Sequence, residues 1–150
     1  MDAFFRRIMV FLIGGLAYVS LEILYRGYSH WTMFFTGGFA FFCLFALFTA
    51  AFPLPFWARC IAGALIVTTI EFTVGIVVNK LLGWHVWDYS RLPCNLFGQI
   101  SLLFSTIWLV LCIPIGFFAR MLNQKILSNL LPSNRYFMKN KKILRRKIHQ

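Results

Sequence analysis

The chain alternates four long apolar runs with short polar segments. The runs cover residues 8–25, 33–52, 60–82 and 96–118. A helix needs about 20 mostly apolar residues to cross a bilayer, and each run is close to that length. Pro93 precedes the fourth run, in a position that suits the first turn of a helix. The pattern predicts an all-α membrane protein with four transmembrane helices in a domain over residues 1–119, followed by a basic cytoplasmic tail over residues 120–150.

The composition favours lipid over a soluble core as the surroundings of these runs. The 150 residues are 60% hydrophobic, include 18 Phe and have a mean hydropathy of +0.75. A soluble domain of this size exposes too much surface to hide so many apolar side chains. Arg6 and Arg7 precede the first run, as in a signal peptide, but no small-x-small cleavage pattern follows it. We therefore interpret the first run as a retained helix.

The positive charges are distributed unevenly along the chain. The net charge is +11, from 15 Lys and Arg against 4 Asp and Glu, and nine of the 15 lie between residues 120 and 147. Lys and Arg in short flanking segments collect on the cytoplasmic side of a membrane protein. We therefore predict a multi-pass protein of the cell membrane with both termini cytoplasmic. The segments 26–32 and 83–95 would then face outward, and Arg59 would lie on the cytoplasmic side.

The tail ends in a cluster of six cations that we expect to bind anionic lipid. These are Lys139, Lys141, Lys142, Arg145, Arg146 and Lys147. Each Lys or Arg close to an anionic membrane surface adds about 1 kcal/mol of attraction. The alternative is that the cluster acts only as a topology determinant. Nucleic acid is not an expected partner, because no folded recognition module flanks the cluster.

Two of the four acids lie inside predicted spans. Glu22 belongs to the outer third of the first helix, and Glu71 lies near the middle of the third. A spacing of four residues puts each acid on a helical stripe with small and polar neighbours. The stripes are Gly14, Tyr18, Glu22 and Arg26 on the first helix, and Val67, Glu71, Gly75 and Asn79 on the third. Small residues allow helices to approach and polar residues bond across the contact, so both stripes are predicted to face the bundle interior.

Two interpretations of these acids remain open. In the first, Glu22 pairs with Arg26, Glu71 bonds to a neighbouring helix, and both contacts only fix the packing. In the second, the acids line a cavity that binds a cation, a proton or a polar head group. A charge at the centre of a membrane helix costs about 2.5–3.5 kcal/mol on insertion scales, so such residues are functional candidates by default.

The two predicted outer loops share aromatic and ionisable residues. Their sequences are YRGYSHW at 25–31 and GWHVWDYSR at 83–91. Trp and Tyr are typical of membrane interfaces, but that preference does not explain the His and Asp residues among them. We group the candidate polar pocket as Glu22, Arg26, His30, Glu71, Asn79, His85, Trp87, Asp88 and Tyr89.

No motif in these loops indicates catalysis or a metal. The chain has neither an HExxH sequence nor paired Cys ligands, and we expect no metal and no cofactor. Ser90, His85 and Asp88 could be assembled into a triad on paper, but triad residues rarely come from one short loop. We therefore predict that the chain is not an enzyme. A lipid-modifying enzyme that uses His30, His85 and Asp88 is a third hypothesis.

The order of features repeats along the chain. In each half an acid-bearing helix leads to an aromatic outer loop, and the next helix opens with Phe and Gly. The openings read MFFTGG in the first half and NLFGQ in the second. Such an order is typical of two parallel helix-hairpin repeats about an axis normal to the membrane, which some transporters contain.

Two segments resemble a known family of bacterial membrane proteins. They are LEILYRGYSHWTMFFTGG at 21–38 and IEFTVGIVVNKLLGWHVWDYSRLPCNLFGQISLLFSTIW at 70–108. Both are similar to the family called Putative ABC-transporter type IV, or CmpB-like. The resemblance covers about residues 14–118, with the basic tail and the Phe-rich second helix outside its motifs. It implies an integral membrane protein that acts as a transport component.

These features predict a small transport-type, permease-like protein with an intramembrane ionisable site centred on Glu71. The chain contains no G-x-x-x-x-G-K-[ST] sequence, so an ATP-driven role needs a separate ATPase subunit. Four short helices enclose little volume, which favours a homo-oligomer or other membrane subunits. The alternative is a non-transport scaffold, or a protein that binds lipid or its head groups.

Overall fold

The structure is a computed structural model that describes residues 3–130, with side chains for residues 4–125. That range contains four α-helices: α1 (Ala3–Arg26), α2 (Trp31–Thr49), α3 (Phe56–Gly75) and α4 (Leu102–Leu130). The candidate membrane spans are Phe4–Arg26, Trp31–Thr49, Phe56–Leu81 and Leu102–Lys125. The prediction of an all-α protein with four helices long and apolar enough to span a membrane is confirmed. The predicted lipid-binding cluster at residues 139–147 lies outside the described residues.

α1 and α2 form a close antiparallel hairpin. Gly27 turns the chain with a φ of +80°, and the His30 side chain accepts a hydrogen bond from the Thr32 backbone N–H as the N-cap of α2. Farther along the hairpin, a Cβ added to Gly37 would overlap with the Tyr18 side chain. Glycine allows this approach because it has no side chain of its own. The Tyr18 ring is therefore held against the backbone of α2.

Arg59 closes the turn between α2 and α3. Its side chain is 5% exposed. It donates to four carbonyl groups, those of Leu47, Ala50, Phe52 and Leu54. The C-terminal carbonyls of a helix lack helical donors, and the prolines of this turn supply none. Arg59, which the charge pattern predicts on the cytoplasmic side, thus caps the end of α2.

α3 changes its helical period before it ends. After Gly75 the chain continues as a π-helix, Ile76–Leu81, in which backbone bonds reach five residues back. The predicted stripe of Val67, Glu71, Gly75 and Asn79 is buried throughout. The whole span runs from Phe56 to Leu81. Glu71 therefore lies closer to the Leu81 end than the mid-helix position predicted from the sequence.

The predicted start of the fourth helix is wrong. Residues 95–101 form a minimal antiparallel hairpin, β1 (Asn95–Leu96) and β2 (Ile100–Ser101), in which Asn95 lies opposite Ser101. Phe97 and Gly98 have φ values of 53° and 70°, which an α-helix does not accommodate. The helix begins only at Leu102, where Ser101 Oγ accepts from the Phe104 N–H at 3.4 Å as an N-cap. Pro93 consequently lies in the loop.

The interior is divided into two apolar clusters. The larger one consists of Val10, Ala40, Leu44, Phe45, Phe48, Cys60, Val67, Cys112 and Ala119. The smaller one lies beneath the loop between α3 and α4 and consists of Met33, Val78, Val86 and Trp87. Outward-facing side chains are also apolar, and Leu24, Leu65 and Phe117 are each more than half exposed. Acyl chains are the surroundings in which such a surface is stable.

Candidate functional site

Residues 27–30 and 82–101 lie together at one end of the helix bundle, which we call the loop end. Glu22 and Arg26 form an ion pair at this end. Arg26 Nη2 lies 2.7 Å from Glu22 Oε1, and the side chains are 17% and 15% exposed. Ser29 Oγ donates to the other Glu22 oxygen at 2.5 Å. The i, i+4 contact considered from the sequence is therefore present. The Glu22 carboxylate has both a cation and a hydroxyl as partners.

Arg26 and His30 also connect the two loop segments. Arg26 Nη1 donates to the Val86 carbonyl at 2.7 Å. The His30 ring contacts Trp31 and Trp84, with a centroid separation of 5.5 Å in each case. The Trp31 and Trp84 rings are themselves 5.7 Å apart. The two loops that share a sequence pattern thus meet at one end of the bundle.

Glu71 has different surroundings from Glu22. It is 5% exposed, and its Oε1 accepts a hydrogen bond from the Tyr18 hydroxyl at 2.7 Å. The Trp108 side chain also interacts with the carboxyl group, and its ring stacks on Tyr18 with centroids 5.7 Å apart. Within residues 4–125, no Lys or Arg forms an ion pair with Glu71. This carboxyl group is therefore buried against a phenol and an indole, without a compensating charge from any described side chain.

Asn79 anchors the long loop to the π-helix. Its Nδ2 donates to Gln99 Oε1 at 2.8 Å, and its Oδ1 accepts from the Val86 N–H at 2.6 Å. Trp87 Nε1 donates to the Gln99 carbonyl at 2.9 Å. Gln99 is only 2% exposed, and a Cβ added to Gly75 would lie 2.6 Å from its Oε1. These amides satisfy one another and cover the loop end of α3.

Tyr89 lies within electrostatic range of both acids. Its ring stacks on Phe104 with centroids 4.3 Å apart and an interplanar angle of 11°. Burial raises the pKa of the Tyr89 hydroxyl above its ordinary value, and the negative charges of Glu71 and Glu22 raise it further. The side chain is therefore neutral at physiological pH.

The remaining two predicted pocket residues lie on the surface. Asp88 is exposed and accepts hydrogen bonds from the backbone N–H of Ser90 at 2.8 Å and from its hydroxyl at 3.0 Å. The backbone bond, followed by the hydroxyl bond, lowers the pKa of the Asp88 carboxyl group. His85 is exposed with a φ of 49°. No hydrogen bond between described residues joins His85 to Asp88 or to Ser90.

Four residues outside the predicted pocket contribute contacts to it: Tyr18, Ser29, Gln99 and Trp108. Tyr18 lies on the Glu22 stripe, but helical periodicity cannot show that its hydroxyl reaches across to α3. Gln99 is brought to Asn79 by the β1–β2 hairpin, whose left-handed residues leave no periodic signal in the sequence. The family resemblance of the segment 70–108, which contains Gln99, is the sequence signal that points to this residue.

Comparison with known proteins identifies the family of this chain. The model of the family described as Putative ABC-transporter type IV matches residues 9–140. The match includes the Phe-rich α2 and part of the tail, and so extends beyond the 14–118 range of the sequence resemblance. A search of curated proteins and a search of solved structures each give no significant match. Because the family match spans most of the 150 residues, the chain belongs to the Putative ABC-transporter type IV family.

Proposed function

We propose that this chain is a membrane-embedded component of a transport system and that Glu71 is its ionisable site. Family membership and the four apolar helices support the transport part of the proposal. The burial of Glu71 among neutral partners carries the ionisable part. The sequence contains no P-loop, so energy from ATP would come from a separate ATPase subunit. No catalytic step is assigned to the chain.

Glu71 is suited to bind a proton or an organic cation. A buried carboxylate without a positive partner is costly, and either species neutralises it. Ca²⁺ and Mg²⁺ prefer six or more oxygen ligands, whereas one carboxyl group and one phenol meet here. A hydrogen bond to an ionised acceptor is about twice as strong as one between neutral groups. Neutralising Glu71 would therefore weaken its bond to Tyr18, which joins α3 to α1.

The proposed arrangement in the membrane follows the charges. We place both termini on the cytoplasmic side, with the loop end facing outward, because nine of the 15 Lys and Arg follow residue 119. In this arrangement α1–α2 and α3–α4 are parallel hairpin repeats, each with its acid towards the loop end. The chain would assemble with copies of itself or with other membrane subunits, and its basic tail would bind anionic lipid.

A second candidate function is a scaffold that contacts lipid head groups or a partner through the loop end. The exposure of Trp31 at 61% and Trp84 at 45%, next to His30, supports it. Interfacial Trp rings suit both purposes. In this case Trp31→Ala and Trp84→Ala would disrupt a complex purified in mild detergent, while Glu71→Gln would leave that complex intact. Under the transport proposal, an ATPase subunit co-purifies and Glu71→Gln abolishes transport.

Difference infrared spectroscopy tests whether Glu71 titrates. Spectra of the purified protein in lipid nanodiscs at acid and alkaline pH should contain a carboxyl band that Glu71→Gln removes. The glutamine keeps an acceptor oxygen for Tyr18, so folding should be retained. Thr68→Val is the matched control, because it removes an uncharged polar group from the same helix, bonded to Ser105 at 3.2 Å. Identical spectra for wild type and Glu71→Gln would overturn the ionisable role.

A further inference from the structure

An apolar cleft runs between α1 and α4 over the surface of α2. It has a volume of about 250 Å³, with Ala17 and Leu21 on one wall and Pro114 and Phe118 on the other. These four residues are exposed, so the cleft opens sideways, at the level of the membrane spans. A dry cavity of about 150 Å³ can already hold a benzene molecule. The cleft is therefore large enough for part of an acyl chain.

The cleft changes character along its length. The end of the cleft farther from the loops is formed by apolar residues such as Ile13, Leu44 and Phe118. At the end nearer the loops, Tyr18 and Trp108 line it. The Tyr18 hydroxyl is bonded to Glu71, which lies behind the stacked rings. The cleft is therefore apolar at one end, and at the other end it is lined by Tyr18 and Trp108, of which Tyr18 bonds to the Glu71 carboxyl group.

Side chains pack against one another at the loop end. Tyr89 stacks on Phe104, and Tyr25 meets the same ring edge-on with centroids 6.1 Å apart. Gln99 and its partners cover the end of α3. On the cleft side, the stacked Tyr18 and Trp108 rings line the opening, and the Tyr18 hydroxyl bonds to Glu71. A ligand that reaches Glu71 by this route comes from the bilayer.

We propose that the cleft binds a single-chain amphiphile with an ammonium head group, which enters from the bilayer and pairs with Glu71 past the Tyr18–Trp108 pair. This inference rests on the proposed ionisable role of Glu71 and names the ligand class. The polarity of the cleft matches a lipid of the leaflet at the loop end, whose head lies towards the loops and whose tail lies towards the bilayer centre. An ammonium group supplies the positive charge that Glu71 lacks among the described side chains.

Photo-crosslinking tests the proposal. The probe is dodecylamine with a diazirine in its tail, added to the protein in phosphatidylcholine nanodiscs. Labelling should saturate and map to α1 and α4. Unlabelled dodecylamine should compete about tenfold better than dodecanoate, a ratio that corresponds to ~1.4 kcal/mol. Equal competition by the two compounds would overturn the head-group assignment.

Two matched variants separate the cleft from the rest of the lipid-facing surface. Ala17→Phe fills the cleft and should reduce labelling about tenfold. Ala46→Phe adds the same ring to an exposed position of α2 that does not line the cleft, and labelling should stay at the wild-type level. Equal labelling of Ala17→Phe and wild type would overturn the cleft as the binding site.

The same samples distinguish this inference from the function on which it rests. If Glu71 titrates in the infrared spectra but Ala17→Phe labels as wild type does, the inference alone fails. If Glu71→Gln leaves both the infrared band and the preference for the amine unchanged, the ionisable role and the ammonium site fail together. Loss of the amine preference in Glu71→Gln, with retained labelling in Ala46→Phe, supports both.

Discussion

Glu22 and Glu71 are the two acids of the membrane spans, and they differ in whether a cation compensates their charge. Glu22 is paired with Arg26 and bonded to Ser29 near the surface of the loop end. Glu71 is more deeply buried and is bonded to the neutral Tyr18. The ion pair also connects the two loop segments, because Arg26 donates a second hydrogen bond to the Val86 carbonyl. The difference shows that a carboxylate within a span can be structural when compensated, and that an uncompensated one needs another explanation.

Removing the cation of the Glu22–Arg26 pair should destabilise the protein most. Arg26→Met leaves Glu22 without its charge partner and Val86 without its donor, so we expect a loss of about 3 kcal/mol in the free energy of unfolding. Denaturation by SDS in mixed micelles measures this loss. Arg91→Met is the control, since Arg91 is exposed, and it should change the free energy by less than about 0.5 kcal/mol. Equal effects of the two variants would show that the ion pair is not a structural contact.

The loop end also depends on Asn79. We expect Asn79→Ala to lower the free energy of unfolding by about 2 kcal/mol. The reason is that the Val86 N–H and Gln99 Oε1 would lose their partner in a buried setting. The same denaturation experiment applies, together with faster hydrogen exchange of the Val86 amide. Thr73→Ala, which removes a hydroxyl bonded within its own exposed helical turn, should have little effect. An unchanged Val86 exchange rate in Asn79→Ala would contradict the anchoring role.

Tyr18→Phe tests the contribution of the neutral partner of Glu71. It removes the hydroxyl that bonds to Glu71 but keeps the ring stacked on Trp108. We expect the free energy of unfolding to fall by about 1 kcal/mol. The infrared carboxyl band of Glu71 should shift in the same variant. Tyr28→Phe is the control, because the Tyr28 ring contacts Arg26 at 4.7 Å while its hydroxyl bonds to no described residue. A band that stays in place in Tyr18→Phe would contradict the contact.

The smallest effect is expected at Asp88, which differs from both membrane acids in being exposed. Its pKa is lowered by its bonds to Ser90, so the turn gains stability above the ordinary Asp pKa of about 3.9 and loses it as the pH falls through the lower, folded-state value. The Ser90 amide signal in labelled protein should therefore shift in that acid range. In Asp88→Asn the shift should be absent, and a shift of equal size would assign it to another group.

Local periodicity is enough to predict the four helices and the buried stripe of α3. The four-residue spacing of Glu71, Gly75 and Asn79 placed them on one face, and all three are buried. The spacing of Glu22 and Arg26 likewise allowed their ion pair. These features need only the geometry of one helix. Contacts between helices, such as Tyr18 with Glu71, depend on packing that periodicity does not contain.

Non-periodic segments account for the remaining errors. The run at 96–118 is apolar from its first residue, yet Phe97 and Gly98 adopt left-handed conformations and delay α4 to Leu102. A hydropathy pattern contains no information about the backbone angle φ, so it does not predict this hairpin. The charge pattern predicts Arg59 only as a cation of a cytoplasmic segment, whereas its guanidinium caps α2. The sequence gives the charge of a side chain but not the carbonyl groups to which it donates hydrogen bonds.

The close hairpin of α1 and α2 has a consequence for how the chain is made. Its turn is short and Gly37 allows tight contact with Tyr18, so the two helices can associate as soon as both have left the translocon. The bonds from Tyr18 to Glu71 and from Arg26 to Val86 then form only when the second half arrives. Two co-expressed fragments divided in the turn at residues 50–55 should therefore reassemble into a protein with a complete Glu71 site.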